Sequence, residues 1–468
     1  MDRFFLNLLN LKIFCATLAV GMVSISLAQA DTEKPNIIFI FADDWGWGDL
    51  SLHGHKDYKT PYLDQMAKEG TNFTQFYVNN PVCSPSRTGV MTGHYPARHG
   101  VHRHFASIEH HENNGMPDWL DPSVVMLPRL FQEAGYKTGH FGKWHLTNVH
   151  IEDAPLPVEY GYDETAVFNG PGPQVDASTS QTFDKSIEFI EKHQGHPFFI
   201  NVWLHETHTA HFPKEEFLKQ FEHLDEQHQV YAAIVAEGDY GVGRILDTLD
   251  RLQLSENTLV LFSSDNGPEF TAGKNRKFYG KDDASTSDSG LDMYYSVGSS
   301  GGLKGKKRSL HEGGVRVPFI VRWPGTVPAG KVNDTTVATG VDLLPTFCAA
   351  AEIPHPKGYE SDGENMLDAL LGKEVKRTKP IYWEWIGNAK GANWPRLAIR
   401  DGDWKLLMTN DGKRKELYNI PKDNQEKKNQ AKNHPEIVDK LSKKALAWKA
   451  SLPTEPPLNS LSKMRNSQ

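Results

Sequence analysis

The chain has 468 residues, which suffices for two domains or for one large domain with an appendage. Its hydrophobic fraction of 38% and charged fraction of 24% are typical of a soluble globular protein. The formal net charge of −8 repels polyanions, so the composition argues against a nucleic-acid partner, and an anionic substrate would need a local basic pocket.

The first thirty residues differ from the rest of the chain. Arg3 and Lys12 precede an apolar run over 13–27, which ends at Ala28-Gln29-Ala30. This pattern is typical of a secretory signal peptide, here cut after Ala30. An uncleaved anchor is the alternative, although the run is short for a membrane span. We therefore expect an exported protein, periplasmic or secreted, without stable membrane insertion.

The run over 35–42 is continuously β-branched and aromatic, which predicts a strand buried on both faces, as in parallel sheets. Asp43 and Asp44 follow at its carboxyl end, where open α/β sheets place their ligands. Two adjacent carboxylates repel each other, and a hard cation between them relieves the repulsion. The alternative is that one Asp caps a helix and the other is exposed. A capped helix over 60–70 and a short strand over 73–78 come next.

The segment 83–96 reads Cys-Ser-Pro-Ser-Arg-Thr-Gly-Val-Met-Thr-Gly-His-Tyr-Pro and predicts a turn that feeds a helix. Cys83 is expected just before the helix N-terminus, where free N–H groups and the helix dipole favour an anion. Arg87 lies one turn further on the same face and can hold an oxyanion. The pattern indicates a nucleophile and a cation directed at one anionic group. A buried cysteine beside a salt-bridged arginine is the alternative.

Two cysteines remain once the signal peptide is removed, Cys83 and Cys348. An exported protein of this size without a disulfide framework favours a bacterial source. Cys348 lies in an apolar segment, which predicts a buried and inert thiol.

A predicted helix over 127–134 leads to a strand over 136–146 that ends in Gly-Lys-Trp-His-Leu. Lys143 and His145 are two residues apart, so an extended backbone would point both side chains the same way. A lysine and a histidine at one place suit an anion site with an acid or base. An exposed lysine and a hydrogen-bonded histidine are the alternative. Residues 148–180 are rich in Pro and Gly, which predicts surface loops.

A helix over 182–193 and a buried strand over 197–204 follow. The strand ends at His205, and His208 and His211 come soon after it. Three histidines suggest zinc, but no clear helix carries them and no further ligands lie nearby, so the zinc pattern is weak.

A long amphipathic helix over 231–252 precedes a central strand over 258–264. The strand delivers Asp265 and Asn266, followed by a glycine. These side chains supply oxygen ligands only, which suits Ca²⁺ or Mg²⁺ rather than zinc. A plain Asn-Gly turn is the alternative.

The C-terminal third begins with a predicted mobile loop over 281–302 and a basic stretch over 304–308, which is ordinarily a solvated face. A strand over 319–321 and a helix from residue 341 follow. Beyond Lys373 the pattern changes to short strands over 380–385, 396–400, 404–408 and 416–419, and then a helix over 435–450. We divide the chain into a signal peptide 1–30, a catalytic domain 31–375, a small C-terminal subdomain 376–452 and a polar tail 453–468.

Several motifs, in family order over about 35–452, resemble those of the type I sulfatases, the formylglycine-dependent members of the alkaline phosphatase superfamily. They are Asp43-Asp44, Cys-x-Pro-Ser-Arg with Thr-Gly-x-x-Pro from Cys83, Gly-Lys-Trp-His around Lys143, Asp265-Asn266-Gly267, and Glu-Gly-Gly-x-Arg-x-Pro from Glu312. The resemblance implies an α/β fold, with a mixed central sheet flanked by helices. It also implies a small C-terminal α+β domain with an antiparallel sheet.

The resemblance further implies a sulfate monoester hydrolase that needs a maturation enzyme. Cys83 would be converted to formylglycine (3-oxoalanine), and the hydrated aldehyde would attack sulfur, because a thiol would form a stable thiosulfate ester. One Ca²⁺ would be bound by Asp43, Asp44, Cys83, Asp265 and Asn266. The implied catalytic residues are Cys83, Arg87, Lys143, His145, His208 and Lys307.

The resemblance also implies what each catalytic residue does. Arg87, Lys143 and Lys307 would stabilise the sulfate oxygens, and His145 would act as a base. His208 would protonate the leaving alcohol, with His205 as the alternative. Lys306 and Lys304 are alternatives to Lys307.

A sulfated carbohydrate is the expected substrate, because export, a cationic pocket and many aromatic residues fit it. Side chains that could contact sugar, or equally be ordinary surface, are His102, His104, His110, His111, Trp394 and the turn over 170–173. The alternatives are an arylsulfatase for small substrates, a phosphoesterase of the same superfamily and a non-catalytic glycan-binding relative. The sequence makes no prediction about the oligomeric state.

Overall fold

The computed structural model describes residues 34–177, 179–270, 291, 293–387 and 395–467. The predicted signal peptide, Trp394 and half of the predicted loop over 281–302 lie outside these residues. From Lys34 onward the chain forms one compact unit. Within the described part of the chain, no helix is both long and apolar enough to cross a bilayer.

An eight-stranded mixed sheet forms the centre of the described structure, in the spatial order β10-β2-β9-β7-β1-β6-β4-β5. Strands β7, β1, β6, β4 and β5 run parallel, whereas β9 is antiparallel to both of its neighbours. The strand bounds are β1 Asn36–Ala42, β2 Thr71–Phe73, β4 Lys137–Lys143, β5 Glu164–Phe168, β6 Phe198–Trp203, β7 Thr258–Ser264, β9 Phe319–Arg322 and β10 Lys331–Asn333.

Strand β1 lies at the centre because both of its faces are apolar. Ile37, Phe39 and Phe41 belong to the core on one side of the sheet, and Ile38 and Ile40 belong to the core on the other side. Every residue of β1 is buried. The predicted doubly buried parallel strand is therefore confirmed.

Helices cover both faces of the sheet. Helices α1, α5 and α7 contribute to one core, and α2, α4 and α9 contribute to the other. The helix bounds are α1 Pro61–Lys68, α2 Cys83–Thr92, α3 Ile108–Glu112, α4 Leu127–Glu133, α5 Thr179–His193, α6 Glu215–Leu218, α7 Glu226–Arg251, α8 Glu312–Val315, α9 Leu343–Ala350, α10 Leu367–Leu370 and α11 Pro435–Ala450. This architecture confirms the predicted α/β fold class.

Three local predictions are corrected. The strand predicted over 73–78 is two strands, because the chain leaves the large sheet at Thr74, whose carbonyl accepts a hydrogen bond from Arg316. Its second part joins a three-stranded sheet of β3 Phe76–Tyr77, β8 Arg316–Val317 and β11 Ala338–Thr339. The predicted loop region 148–180 contains β5. Helix α7 begins five residues earlier than predicted, where Asp225 caps it by accepting from the His228 N–H.

The C-terminal strands form the expected antiparallel sheet. Its order is β12 Ile381–Glu384, β13 Leu397–Asp401, β14 Trp404–Met408 and β15 Lys415–Asn419. This sheet and α11 share one apolar core with Tyr77, Val82, Leu310 and Val315 of the larger domain. The small sheet therefore packs directly behind the segment that carries α8.

A buried ion cluster also joins the two parts. The Lys405 ammonium, on β14, lies 2.8 Å from a Glu312 carboxylate oxygen and 3.2 Å from one of Glu426. Glu312 also accepts a 2.7 Å hydrogen bond from the Tyr77 hydroxyl. All four side chains are almost fully buried, so their charges depend on one another.

Removal of the Lys405 charge is expected to destabilise the protein. Lys405→Ala removes the ammonium that both buried carboxylates contact and leaves Glu312 paired with Arg316 at 3.5 Å, which should lower the free energy of unfolding by about 3–5 kcal/mol. Lys413→Ala is the control, because the Lys413 side chain is 84% exposed and pairs with Asp411 in the described structure. This substitution should change the free energy of unfolding by no more than about 0.5 kcal/mol. Thermal denaturation of both variants measures the difference, and equal midpoints would contradict a structural role for the cluster.

Candidate active site

The carboxyl ends of four neighbouring parallel strands converge on one buried site. Asp43 follows β1, Asp265 follows β7, His205 follows β6, and Lys143 ends β4. Asp44 has a left-handed backbone with φ +63°, and its amide donates to Asp265 Oδ1 at 3.2 Å. Because of this turn, both adjacent carboxylates face the same site instead of opposite sides of a strand.

Each of the three carboxylates contacts its own cation. The Arg87 guanidinium donates to Asp265 Oδ2 at 3.0 and 2.6 Å. Lys307 Nζ lies 2.6 Å from Asp44 Oδ2, and Lys143 Nζ contacts Asp43 Oδ2. All six groups are almost completely buried, so six charges are held out of water within one cluster.

The surroundings shift the acidities of the carboxylates in opposite directions. Burial raises the pKa of Asp265 well above its usual range, and the neighbouring Asp43 charge adds to this against the pull of Arg87. Burial also opposes ionisation of Asp43, but Lys143, His208 and His205 outweigh it and hold the pKa of Asp43 well below its usual range. The cluster thus favours negative charge on Asp43.

The same residues fit a hard cation. One ligand atom each of Asp43, Cys83 and Asp265 lie within 4.8 Å of one another. Asp43 Oδ1 and Asn266 Oδ1 are buried and accept no hydrogen bond from the described residues. Orphaned carboxylate and amide oxygens beside further carboxylates form the donor set that Ca²⁺ prefers.

Cys83 is the first residue of α2, preceded by Val82 as the N-cap, so it lies inside the first turn rather than just before it as predicted. Its side chain is buried and joins the carboxylate cluster. Arg87 lies one turn further along α2, and its guanidinium stacks 4.8 Å from the centre of the Trp203 ring. Arg87 Nη1 has no hydrogen-bond partner in the described part of the chain, so it can bind an added anion.

The predicted reason for the convergence of Lys143 and His145 is wrong. Strand β4 ends at Lys143, and His145 has a left-handed φ of +54°, so no extended backbone joins them. His145 instead reaches the loop beyond α2, where its Nε2 lies 3.0 Å from the Phe105 carbonyl oxygen. The Phe105 amide in turn donates to Ser84 Oγ at 3.0 Å, directly beside Cys83.

The hydrogen bond to Phe105 fixes the tautomer of His145. A carbonyl only accepts, so Nε2 must carry the proton and Nδ1 must present a lone pair. His145 Nδ1 is buried and has no partner among the described residues. Burial lowers the pKa of His145 well below its usual value, and the Lys143 charge adds to this. His145 is therefore neutral, with an acceptor atom available.

Both candidate histidines after β6 lie at the site. His205 Nδ1 is 3.2 Å from Asp43 Oδ2, and burial lowers the pKa of His205 to about 4. The His208 ring lies 4.9 Å from the His205 ring and is half-buried, so it is the more accessible of the two. His211 is not part of this pair, and its ring nitrogens lie 3.0 Å from the Glu206 carbonyl oxygen and 3.0 Å from the Ser296 hydroxyl.

Only one of the three candidate lysines contacts the carboxylate cluster within the described structure. Lys307 binds Asp44, whereas Lys304 pairs with Glu416 of the small domain, and Lys306 bonds to the Phe270 carbonyl oxygen. Arg308, which the motifs did not single out, pairs with Glu269 close to Lys307. No sequence signal links Glu269 to Arg308, because 39 residues separate them.

The possible sugar contacts fall into two groups. His104 lies 6.4 Å from His145 and 4.8 Å from His110, ring centre to ring centre, and both His104 and His110 are half-buried. His102 pairs with Glu384, and His111 is fully buried against Asp118. His111 therefore cannot touch a substrate.

Comparisons with known proteins show similarity to sulfatases. A family model described as Sulfatase matches residues 35–353, and one described as N-sulphoglucosamine sulphohydrolase, C-terminal, matches residues 304–451. An N-acetylgalactosamine-6-O-sulfatase of Bacteroides thetaiotaomicron is 27% identical over 88% of this chain and 92% of its own. An N-acetylgalactosamine-6-sulfatase of Canis lupus familiaris is 31% identical, over 76% and 69%.

A solved structure is similar over nearly the whole chain. The crystal structure of Ps i-CgsB in complex with k-i-k-neocarrahexaose has a TM-score of 0.74 and 27% identity, and the match covers 93% of this chain and 96% of that one.

The tautomer of His145 can be observed directly. We expect His145 to remain neutral and protonated on Nε2 from about pH 6.5 to about pH 8, because burial and the Lys143 charge lower its pKa well below the usual value of about 6.5. Long-range ¹H–¹⁵N spectra of histidine-labelled protein measure both properties, and His145→Gln identifies the signal. A proton on Nδ1, or titration within this range, would contradict the assignment.

Proposed function

Because the chain belongs to the sulfatase family and is a sulfuric ester hydrolase, we propose that it removes O-sulfate groups from a carbohydrate. The observation that carries this proposal is the position of Cys83. It lies in the first turn of α2, within a buried cluster where Arg87, Lys143 and Lys307 supply three positive charges. A sulfate monoester is an anion that such a cluster can bind and activate.

The nucleophile in this proposal is formylglycine, made from Cys83 by a maturation enzyme. When present, its hydrate supplies an oxygen nucleophile for the sulfur atom. Two buried atoms without a partner among the described residues suit this group. They are Arg87 Nη1, one turn further along α2, and Nδ1 of His145, which is connected to Ser84 through hydrogen bonds to Phe105. His145 would accept a proton from a hydroxyl of residue 83, since its own proton is held on Nε2 by Phe105.

The cations and the second histidine complete the proposed chemistry. Arg87, Lys143 and Lys307 would bind the sulfate oxygens and balance their charge as the ester bond breaks. The leaving alkoxide needs a proton, and His208 is the proposed donor because it is half-exposed beside the site. His205 is the alternative, although it is buried against Asp43.

Calcium is the proposed metal. Asp43, Asp44, Asp265, Asn266 and residue 83 would hold it, and the ion would supply a positive charge to sulfate and to the carboxylates. Two orphaned buried oxygens, Asp43 Oδ1 and Asn266 Oδ1, support this proposal.

Carbohydrate is the proposed substrate class because of the relatives and the setting of the site. The two named relatives are N-acetylgalactosamine 6-sulfatases, and the similar structure is a complex with k-i-k-neocarrahexaose. The half-buried residues His104 and His110 lie near His145, and their ring nitrogens can bond to hydroxyls. Export to the periplasm or beyond, predicted from residues 1–30, would give the enzyme access to such glycans.

Hydrolysis of defined sulfated sugars tests the proposal. Protein made with a formylglycine-generating enzyme should release sulfate from N-acetylgalactosamine 6-sulfate or a related sulfated sugar, and Cys83→Ala should lower the rate by roughly 10³-fold or more. Cys348→Ala is the matched control, because that thiol is buried away from the site in the apolar core. Mass spectrometry of the peptide with residue 83 confirms the aldehyde.

The same assay separates the alternatives. Turnover of aryl sulfates without any sulfated sugar would favour a small-substrate arylsulfatase. Preference for phosphate monoesters would favour a phosphoesterase. Hydrolysis by Cys83→Ala at the wild-type rate would overturn the proposed nucleophile.

Calcium binding should stabilise the protein through this site. Adding Ca²⁺ to chelator-treated protein at about 100 times the dissociation constant should stabilise it by about 2.7 kcal/mol, seen as a higher thermal midpoint. Asp265→Asn should abolish the shift in thermal midpoint. Asp239→Asn is the control and should keep the shift, because the buried Asp239 carboxylate accepts from the Tyr62 and Leu63 amides in the described structure. A shift that survives in Asp265→Asn would contradict the proposed ligands.

A further inference from the structure

The segment that follows α11, residues 453–467, lies against the loop that carries Phe105. Ser460 accepts from the Asp118 amide at 2.8 Å, and the Ser462 amide donates to Asp118 Oδ2 at 2.7 Å. Arg465 donates to both oxygens of Asp118, at 2.7 and 3.0 Å, and to the Met116 carbonyl at 2.6 Å. We name residues 453–467 the C-terminal strap. It lies outside both matched family regions.

Asp118 also contacts a buried histidine, His111. Both Asp118 and His111 are fully buried, and His111 Nδ1 lies 2.7 Å from Asp118 Oδ1. His111 Nε2 accepts from the Ala106 amide at 2.7 Å. One nitrogen must donate to the carboxylate while the other accepts from an amide, so the tautomer and ring orientation of His111 are both fixed.

The peptide group between Phe105 and Ala106 contacts both histidines, His111 and His145. Ala106 N–H and the Phe105 carbonyl belong to the same peptide group, and that carbonyl accepts the His145 Nε2 proton at 3.0 Å. A shift of this peptide moves the acceptor for His145 directly. Direct contacts therefore run from Arg465 through Asp118, His111 and the Phe105–Ala106 peptide to His145.

We propose that Arg465 is a positioning residue for His145, and that the C-terminal strap serves the reaction by fixing the peptide that sets the tautomer of this histidine. The inference rests on the proposed function, because it takes His145 to act at residue 83. The strap also has an apolar contact, since Met464 packs against Ile108 and Trp119. Loss of Arg465 alone should therefore loosen the polar connection while the strap stays attached.

Hydrogen exchange tests whether the connection reaches the peptide. In Arg465→Ala, the amides of Phe105 and Ala106 should exchange at least about tenfold faster than in the wild type, because the Ala106 amide loses its fixed acceptor. Lys463→Ala is the matched control, since Lys463 has an exposed side chain and uses its backbone amide to bind Asp153. Unchanged exchange at Phe105 and Ala106 in Arg465→Ala would overturn the proposal, whether or not the protein hydrolyses sulfate esters.

A double-mutant cycle tests whether the effect passes through His145. Arg465→Ala should lower kcat about tenfold in the wild-type background but less than twofold in the His145→Ala background, measured in single turnovers at high enzyme concentration. Arg465→Lys, which keeps the charge, should recover part of the loss and also serves if Arg465→Ala fails to fold. Equal losses in both backgrounds would show a merely structural role and overturn the proposal. Mass spectrometry checks that residue 83 is converted equally in every variant.

Discussion

Three carboxylates buried at one sheet edge are the constraint on which the rest of the structure depends. Asp43, Asp44 and Asp265 could not remain ionised there without compensation, because burial and mutual repulsion both oppose their charge. Arg87 and two lysines supply that compensation from three separate parts of the chain. The sheet, α2 and the segment before α8 must therefore all be in place before the cluster is stable.

Two features of the fold keep these charged groups in place. They are the buried strands that end at the site and the C-terminal sheet that packs against the segment carrying Lys307. Strands β1, β6 and β7 are buried on both faces, so their carboxyl ends have little freedom to move. Behind Lys307, the small C-terminal sheet holds Glu312 through Lys405. The small domain thus stabilises the segment that delivers Lys307 to the cluster, although none of its described strands contributes a residue there.

Much of this arrangement follows from local sequence. Apolar runs that end in Asp43 and Asp265 predict strands whose carboxyl ends meet, and parallel pairing makes them neighbours. The geometry of His145 could not be predicted in this way, because its left-handed backbone breaks the strand pattern that was used. The contacts of Phe105 could not be predicted either, because they involve its backbone carbonyl and amide, and the residue type does not indicate them. The strap was predicted only as a polar tail, because its partner Asp118 lies 344 residues before Ser462.

That separation has a consequence for how the protein is made. A ribosome completes Cys83, His145 and most of the sheet long before it adds Arg465, so the contacts of Arg465 with Asp118 are absent until that point. Contacts between such distant parts of a chain form slowly, since a long loop must close first. The nascent protein therefore passes through a period in which Cys83 already exists but its surroundings are incomplete. Any enzyme that modifies this residue has that period in which to reach it, before the finished fold buries the side chain.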